Sequence, residues 1–329
     1  MSKELRIAVV GAGRISTAHL ESIGGMRDRI RLIAVADIDE KNAREKAVRY
    51  GAEKGSCTPE AAFADRDVEA VILCVPHGLH CALAIEAMRS YKHVLVEKPL
   101  ALTLADADEM IRTSRENGTV LMVAQSRRFY KAVLNSKQYL SEIGEPFNVI
   151  GIWNVCVRKP STSWWLNPEM VGRGFLADLN GPHVMDYVLW VIRDKACRVH
   201  ALGYQNNREW NGPDEVCISV KFLQGGIATV HVSFNTVPEI NEKIVTGPKG
   251  TMRIINDSEI WVNGDLKEKY PEEKDYLKGG SNFILQIDEF RNAIKDGKPP
   301  LTSGEECRRV VEVIAAARES LFSGRIVEL

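Results

Sequence analysis

Arg6-Ile7-Ala8-Val9-Val10-Gly11-Ala12-Gly13-Arg14-Ile15-Ser16 decides how the first half of the chain folds. A short apolar run ends in two glycines one residue apart, and a helical pattern follows at once. Gly11 permits a tight turn. Gly13 lets the backbone come close to a pyrophosphate, which free N–H groups at the helix start then stabilise, together with Arg14 and Ile15. A Gly-x-Gly element alone is weak evidence, but strand before and helix after are the context it requires. The third position of the fingerprint is Ser16 instead of glycine, still small enough for close helix packing.

Working outward, Asp37 closes the second apolar run, roughly 20–25 residues on, where an acid bonds the hydroxyls of an adenosine ribose. The run Ala36-Asp37-Ile38-Asp39 contains no base. A 2′-phosphate there meets repulsion, so the spacing favours NAD over NADP. The competing reading is a glycine turn plus a helix cap with no ligand.

The rest of the first 125 residues supports the same architecture. Arg6–Val10, Leu32–Asp37, Ala70–Val75, His93–Glu97 and Val120–Gln125 read as strands rich in Val, Ile and Leu, as strands covered on both faces should be. Residues 15–26, 41–50, 79–89 and 105–117 read as helices. Alternating strands and helices predict a Rossmann doubly wound parallel sheet. The strand end Cys74-Val75-Pro76-His77 falls at the carboxyl edge, where ligands bind in such sheets, so Pro76 and His77 are candidates to line a cofactor; His77 serves equally as a structural cap. His19, on the helix behind the turn, reads as packing.

After about residue 145 consecutive strands dominate. Residues 147–157, 198–204, 216–222, 227–234, 242–246, 250–255 and 259–262 have strand patterns, and Gln224-Gly225-Gly226 signals a hairpin. Helical patterns occupy 182–191, 282–295 and 304–321, the last with Ser303 as its cap. Residues 264–280 read as an exposed polar loop. The expected class is thus α/β: a Rossmann domain over 1–125, and an α+β domain over 126–329 with a mainly antiparallel open sheet, for substrate binding and oligomerisation. The C-terminal helix is a candidate to pack back on the first domain.

Composition sets limits. The chain has 329 residues, 45% of them hydrophobic and 26% charged, with a formal net charge of -1. That balance favours neither nucleic acid nor an anionic membrane as a partner. No stretch approaches the roughly 18 apolar residues of a membrane helix. Met1-Ser2-Lys3-Glu4 does not begin a signal peptide, so a cytoplasmic location is expected. Seven scattered cysteines form no Cys-x-x-Cys pair and no metal-ligand pattern; they read as reduced thiols.

Val94-Leu95-Val96-Glu97-Lys98-Pro99-Leu100 sets a charged pair at the end of a buried strand. Charges buried without partners are costly. Pro99 blocks further strand pairing. A lysine held there loses water, its pKa falls, and it can exchange protons near neutral pH. An edge salt bridge is the plainer reading of the same pair.

With Gly11-Ala12-Gly13, Asp37, Glu97-Lys98-Pro99-Leu100, Arg128-Phe129, Gly172-Arg173-Gly174, His183-Val184-Met185-Asp186 and Leu301-Thr302-Ser303-Gly304-Glu305, nearly the whole chain resembles the Gfo/Idh/MocA oxidoreductases. The resemblance implies a bound nicotinamide nucleotide, with Glu97 and Lys98 also near it, and a sugar, cyclitol or related polyol as substrate. It implies Lys98 as a catalytic or proton-relaying residue and His183 as general acid or base. The family's acid four residues before that histidine falls here on Leu179, with Asp178 one step earlier. Asp178 therefore either joins in proton transfer or caps the helix. Arg173 interrupts a glycine run and is a candidate substrate contact or a solvent-facing arginine. Arg127, Arg128 and Tyr130, at the domain boundary, are candidates to reach the substrate, with at least one of them expected to be an ordinary salt-bridge partner. Trp165, next to Trp164, either stacks on a sugar ring or covers a junction.

The expected reaction is oxidation of a secondary alcohol to a ketone by an NAD-dependent dehydrogenase. Two other readings stay open: a redox-neutral lyase, epimerase or glycosidase using transient oxidation, and a non-enzymatic dinucleotide-binding regulator. A sheet face without helices predicts a homodimer or homotetramer.

Overall fold

Ile7–Val10 is apolar throughout because both faces of its strand are covered. In the computed structural model, which describes residues 4–273 and 275–329, β1 (Leu5–Val10) lies inside a six-stranded parallel sheet. The elements that follow it are α1 (Ser16–Gly24), β2 (Ile30–Ala36), α2 (Glu40–Tyr50), β3 (Ser56–Cys57), α3 (Pro59–Ala64), β4 (Ala70–Leu73), α4 (His80–Arg89), β5 (His93–Glu97), α5 (Leu104–Glu116) and β6 (Leu121–Ala124). The strand order is β3-β2-β1-β4-β5-β6, the doubly wound Rossmann arrangement, with its switch point between β1 and β4.

Local chemistry sets the helix ends. Asp39 caps α2 by accepting from Lys41 N and Asn42 N, and Gly51 closes it at φ 71°. Thr58 caps α3, with Pro59 in its first turn. Thr103 caps α5. β3 and α3 were not expected from the sequence, since two and six residues are too short to show a period.

The second sheet is mixed but mainly antiparallel. Ahead of it and within it come α6 (Lys131–Ser136), α7 (Leu140–Ile143), β7 (Asn148–Cys156), α8 (Pro168–Val171), α9 (Leu176–Leu179) and α10 (Gly181–Val191). They are followed by β8 (Ala196–Tyr204), β9 (Glu215–Phe222), β10 (Ile227–Ser233), β11 (Asn235–Gly247), β12 (Gly250–Ile255), β13 (Glu259–Val262) and β14 (Asp265–Lys269). After α11 (Ser281–Asp296) and α12 (Gly304–Ser323), β15 (Val327–Glu328) completes a nine-stranded sheet ordered β14-β13-β12-β11-β7-β10-β9-β8-β15. Among the described residues of this sheet, only β7 and β10 pair in parallel. Burial alternates along β9: Val216, Ile218, Val220 and Phe222 are buried, while Ser219 and Lys221 are exposed. On the covered face Gly151 leaves room for Val184 of α10. The segment 264–280, expected to be a loop, contributes β14, whose charged residues had masked a strand that uses only one apolar side chain.

The chain divides into two compact units, Met1–Ser126 with Glu273–Arg308, and Arg127–Glu272 with Arg309–Leu329. Residues 273–308 therefore group with the six-stranded sheet and not with the second domain as the sequence reading had them. Backbone pairing explains this: Val123 N donates to Thr302 O, Thr302 Oγ1 donates to Val123 O, and Ser303 bridges Met122. Asn282 reaches Ser126 O, and Phe283 packs edge-on against His19. Ser303 caps α12 through Glu306 N as expected. The seven cysteines are free thiols. Among the described residues no helix is long and apolar enough to cross a membrane, and no group of three His, Cys, Asp or Glu side chains is arranged to hold a metal.

Candidate active site and cofactor turn

Parallel register builds the first part of the site. Val10 pairs with Ala36 and with Leu73, and Leu73 with Val96. The next residue on each strand is Gly11, Asp37, Cys74 and Glu97, so these four form one row at the carboxyl edge. Lys98 follows directly. Gly11 sits at φ 95°, and a Cβ there would be driven into the Cys74 carbonyl. Gly13 differs: a Cβ would meet nothing, and the residue is exposed. No neighbouring atom requires glycine at position 13, and the open room above the turn suits a dinucleotide approaching the backbone. The start of α1 has no acidic residue and no side-chain cap, so its N–H groups are arranged for an outside anion.

Asp37 accepts from Ala12 N at 2.5 Å and from Asp39 N at 2.8 Å, which fixes its carboxylate beside the turn. Exposed Arg14 leans over the ring of Tyr276, 5.6 Å from its centroid. Ile15 and Pro76 are half-buried, and His77 is buried. Glu97 Oε1 lies 2.7 Å from His19 Nε2, so the helix behind the glycine turn is tied to the end of β5. The sequence reading treated His19 as packing and missed this link. It also missed buried His80, whose ring nitrogens face Pro99 O at 2.7 Å and Val75 O at 3.0 Å and so brace the turns after β4 and β5. Lys98 is half-buried, and its peptide to Pro99 is cis. Burial pushes its pKa down to about 8, partly opposed by Glu97.

The second unit holds His183 in the first turn of α10, with its ring edge-on to Trp153 at 5.1 Å. Arg127 covers Trp153 at 4.1 Å and is anchored by Asp257. Three candidates have partners within the protein. Arg128 is buried, and its guanidinium bonds both Asp186 oxygens, at 2.8 and 2.5 Å, because α10 carries Asp186 inward. Asp178 is buried and accepts from Gly174 N at 2.7 Å and Arg318 Nη1 at 2.6 Å. Burial raises its pKa to about 6, against the pull of Arg318. Gly172, at φ 101°, and Gly174 leave the space this carboxylate fills. Arg173 faces solvent and pairs with Glu169, four residues earlier. Trp165 is half-buried in an aromatic cluster, stacked on Phe234 at 5.9 Å and near Trp210 and Trp164.

Residues 5–125 match the profile of an oxidoreductase family with an NAD-binding Rossmann fold, and residues 139–253 match the Gfo/Idh/MocA C-terminal domain. The chain belongs to the Gfo/Idh/MocA oxidoreductase family. Among its relatives is a myo-inositol 2-dehydrogenase of Thermotoga maritima, 28% identical, covering 99% of this chain and 98% of that protein. Another is the 4-carboxy-2-hydroxymuconate-6-semialdehyde dehydrogenase of a Sphingobium species, 29% identical over 93% of this chain and 96% of that protein. GenD2 from gentamicin A biosynthesis, solved in complex with NAD, superposes with a TM-score of 0.87 at 25% identity, covering 100% of this chain and 97% of that one. This Gfo/Idh/MocA protein is therefore an oxidoreductase, and its cofactor is NAD. The glycine turn, the α1 start and Asp37 are the residues whose geometry suits that cofactor.

Proposed function

We propose that this enzyme oxidises a secondary alcohol of a sugar, cyclitol or related polyol to a ketone, with Lys98 and His183 handling the proton. NAD, when bound, supplies the hydride acceptor. The observation that carries the reading is Lys98: a half-buried lysine that follows the row of cofactor-edge residues and has a pKa of about 8. Near neutral pH it can accept an alcohol proton and return it, which a lysine in water does poorly. Glu97, tied to His19, limits how far the ammonium is destabilised. His183 is the second proton-handling group, its ring packed edge-on against Trp153, on the helix whose Asp186 is paired with Arg128. Asp178 takes the structural role in this reading, favoured by its bonds to Gly174 and Arg318. The polyol class is favoured by the myo-inositol 2-dehydrogenase likeness across nearly the full chain.

Lys98→Met should cut turnover by roughly 10³-fold or more while NADH affinity stays within about twofold. Near-normal turnover would remove the lysine from the mechanism. The substrate class is tested by following NADH formation over a panel of inositols, glucosides and free sugars. Product without NADH would favour the redox-neutral reading instead.

The same proposal makes the protein a homodimer or homotetramer through the face of the nine-stranded sheet that leaves Leu202, Tyr204 and Ile227 exposed. Light scattering on the wild type and on Leu202→Glu checks it; a monomeric wild type would end this part of the reading.

A further inference from the structure

The serine that interrupts the glycine fingerprint has a partner from outside the turn. Ser16 is fully buried, and its hydroxyl donates to Gly13 O at 2.7 Å. Lys46 reaches the same point from α2. Its ammonium donates to Gly13 O at 2.6 Å, Ser16 Oγ at 2.7 Å and Thr17 Oγ1 at 2.9 Å, using all three of its protons. The charge is thus fixed beside the first turn of α1, at the carbonyl of a glycine with open room above it.

Acidic side chains stand close by. Asp37, Asp39 and Glu40 stand at the end of β2 and the start of α2. Acids suited to ribose hydroxyls repel a doubly negative pyrophosphate. Lys46 is half-buried; burial lowers its pKa while Asp37 supports its charge. A neutral hydrogen-bonding side chain could hold Ser16 without the cost of removing an ammonium from water.

We infer that Lys46 is a positioning residue for the cofactor: it clamps the Gly13 carbonyl and Ser16 and places a fixed positive charge beneath the pyrophosphate of bound NAD. The inference rests on cofactor binding alone and is independent of the substrate. Lys46→Met keeps the length and removes the charge. Binding of NADH, ADP-ribose and adenosine to the full-length protein is measured by calorimetry at low and high salt, alongside the melting temperature. Loss of one fixed charge near the pyrophosphate is expected to weaken NADH and ADP-ribose about tenfold. Adenosine, which has no phosphate, should change less than about twofold, and the salt dependence of ADP-ribose binding should flatten. Lys46→Arg should recover most of the loss. Should Lys46→Met fail to fold, Lys46→Gln, which keeps a donor for the Gly13 carbonyl, carries the same comparison. ADP-ribose affinity within twofold of wild type overturns the inference. So does an equal loss for adenosine and ADP-ribose, which would mean that the turn collapsed and the charge had no part.

Discussion

The carboxyl edge of the six-stranded sheet and the start of α10 are built by different means. At the sheet edge, four strands in parallel register bring Gly11, Asp37, Cys74 and Glu97 into one row, and backbone groups make most of the contacts. At α10, side chains from distant segments do the work. Arg128 clasps Asp186 across 58 residues, and Arg318 reaches Asp178 across 140. A site made by backbone register depends on its side chains mainly where the turn itself is tight, as at Gly11. A site made by buried charge pairs depends on each member, because a lone partner stays buried and unpaired.

The largest expected difference tests that dependence. Arg128→Met leaves Asp186 without its bidentate partner and should cost about 3–5 kcal/mol in urea unfolding. A loss under about 1 kcal/mol would show that Asp186 finds other support, and the scaffold role assigned to Arg128 would fall. Next comes a pair within the glycine turn. Gly11→Ala should destabilise by about 2–4 kcal/mol, since the backbone conformation and the Cys74 carbonyl both oppose a methyl group. Gly13→Ala should leave stability within about 0.5 kcal/mol of wild type and weaken NADH binding instead. Equal losses of stability in the two variants would erase the distinction between a turn glycine and a ligand glycine.

A smaller effect is expected with pH. The folded-state pKa of Lys98, about 8, lies below the ordinary lysine value of 10.5. Between those values the unfolded chain binds more protons, so stability should rise with pH across that window, and the full penalty should be present below about 8. The rate of alcohol oxidation should rise through the same inflection as the amine becomes able to accept a proton. Lys98→Met should flatten both profiles; an unchanged stability profile would mean that another group causes it. Smallest of all, Arg173→Ala removes only an exposed i,i+4 pair and should change stability by less than about 0.5 kcal/mol with no effect on turnover.

Legibility followed the same division. His93–Glu97 and Gly250–Ile255 were predicted to the residue, because a run of strand-forming residues ended at a sharp boundary. β3 and β14 escaped, one for being two residues long and the other for its charges. Asp178 was open to a catalytic or a structural reading, since spacing along the chain does not reveal Arg318. Arg128 was open between a substrate contact and a salt-bridge partner, because an arginine beside a strand end looks the same whether or not an aspartate awaits it. Lys46 gave no signal, lying mid-helix among other charged residues.

The sequence by itself determined the alternating β/α order, the turn at Gly11 and Gly13, the acid at Asp37 and the lysine after β5, because each depends on neighbours a few residues away. Only the tertiary structure decided which carboxylates are already engaged, that Glu273–Arg308 falls in the first compact unit, and that an ammonium from α2 lies under the glycine turn. Those outcomes depend on side chains meeting across tens to hundreds of residues, and local propensity carries no record of such meetings.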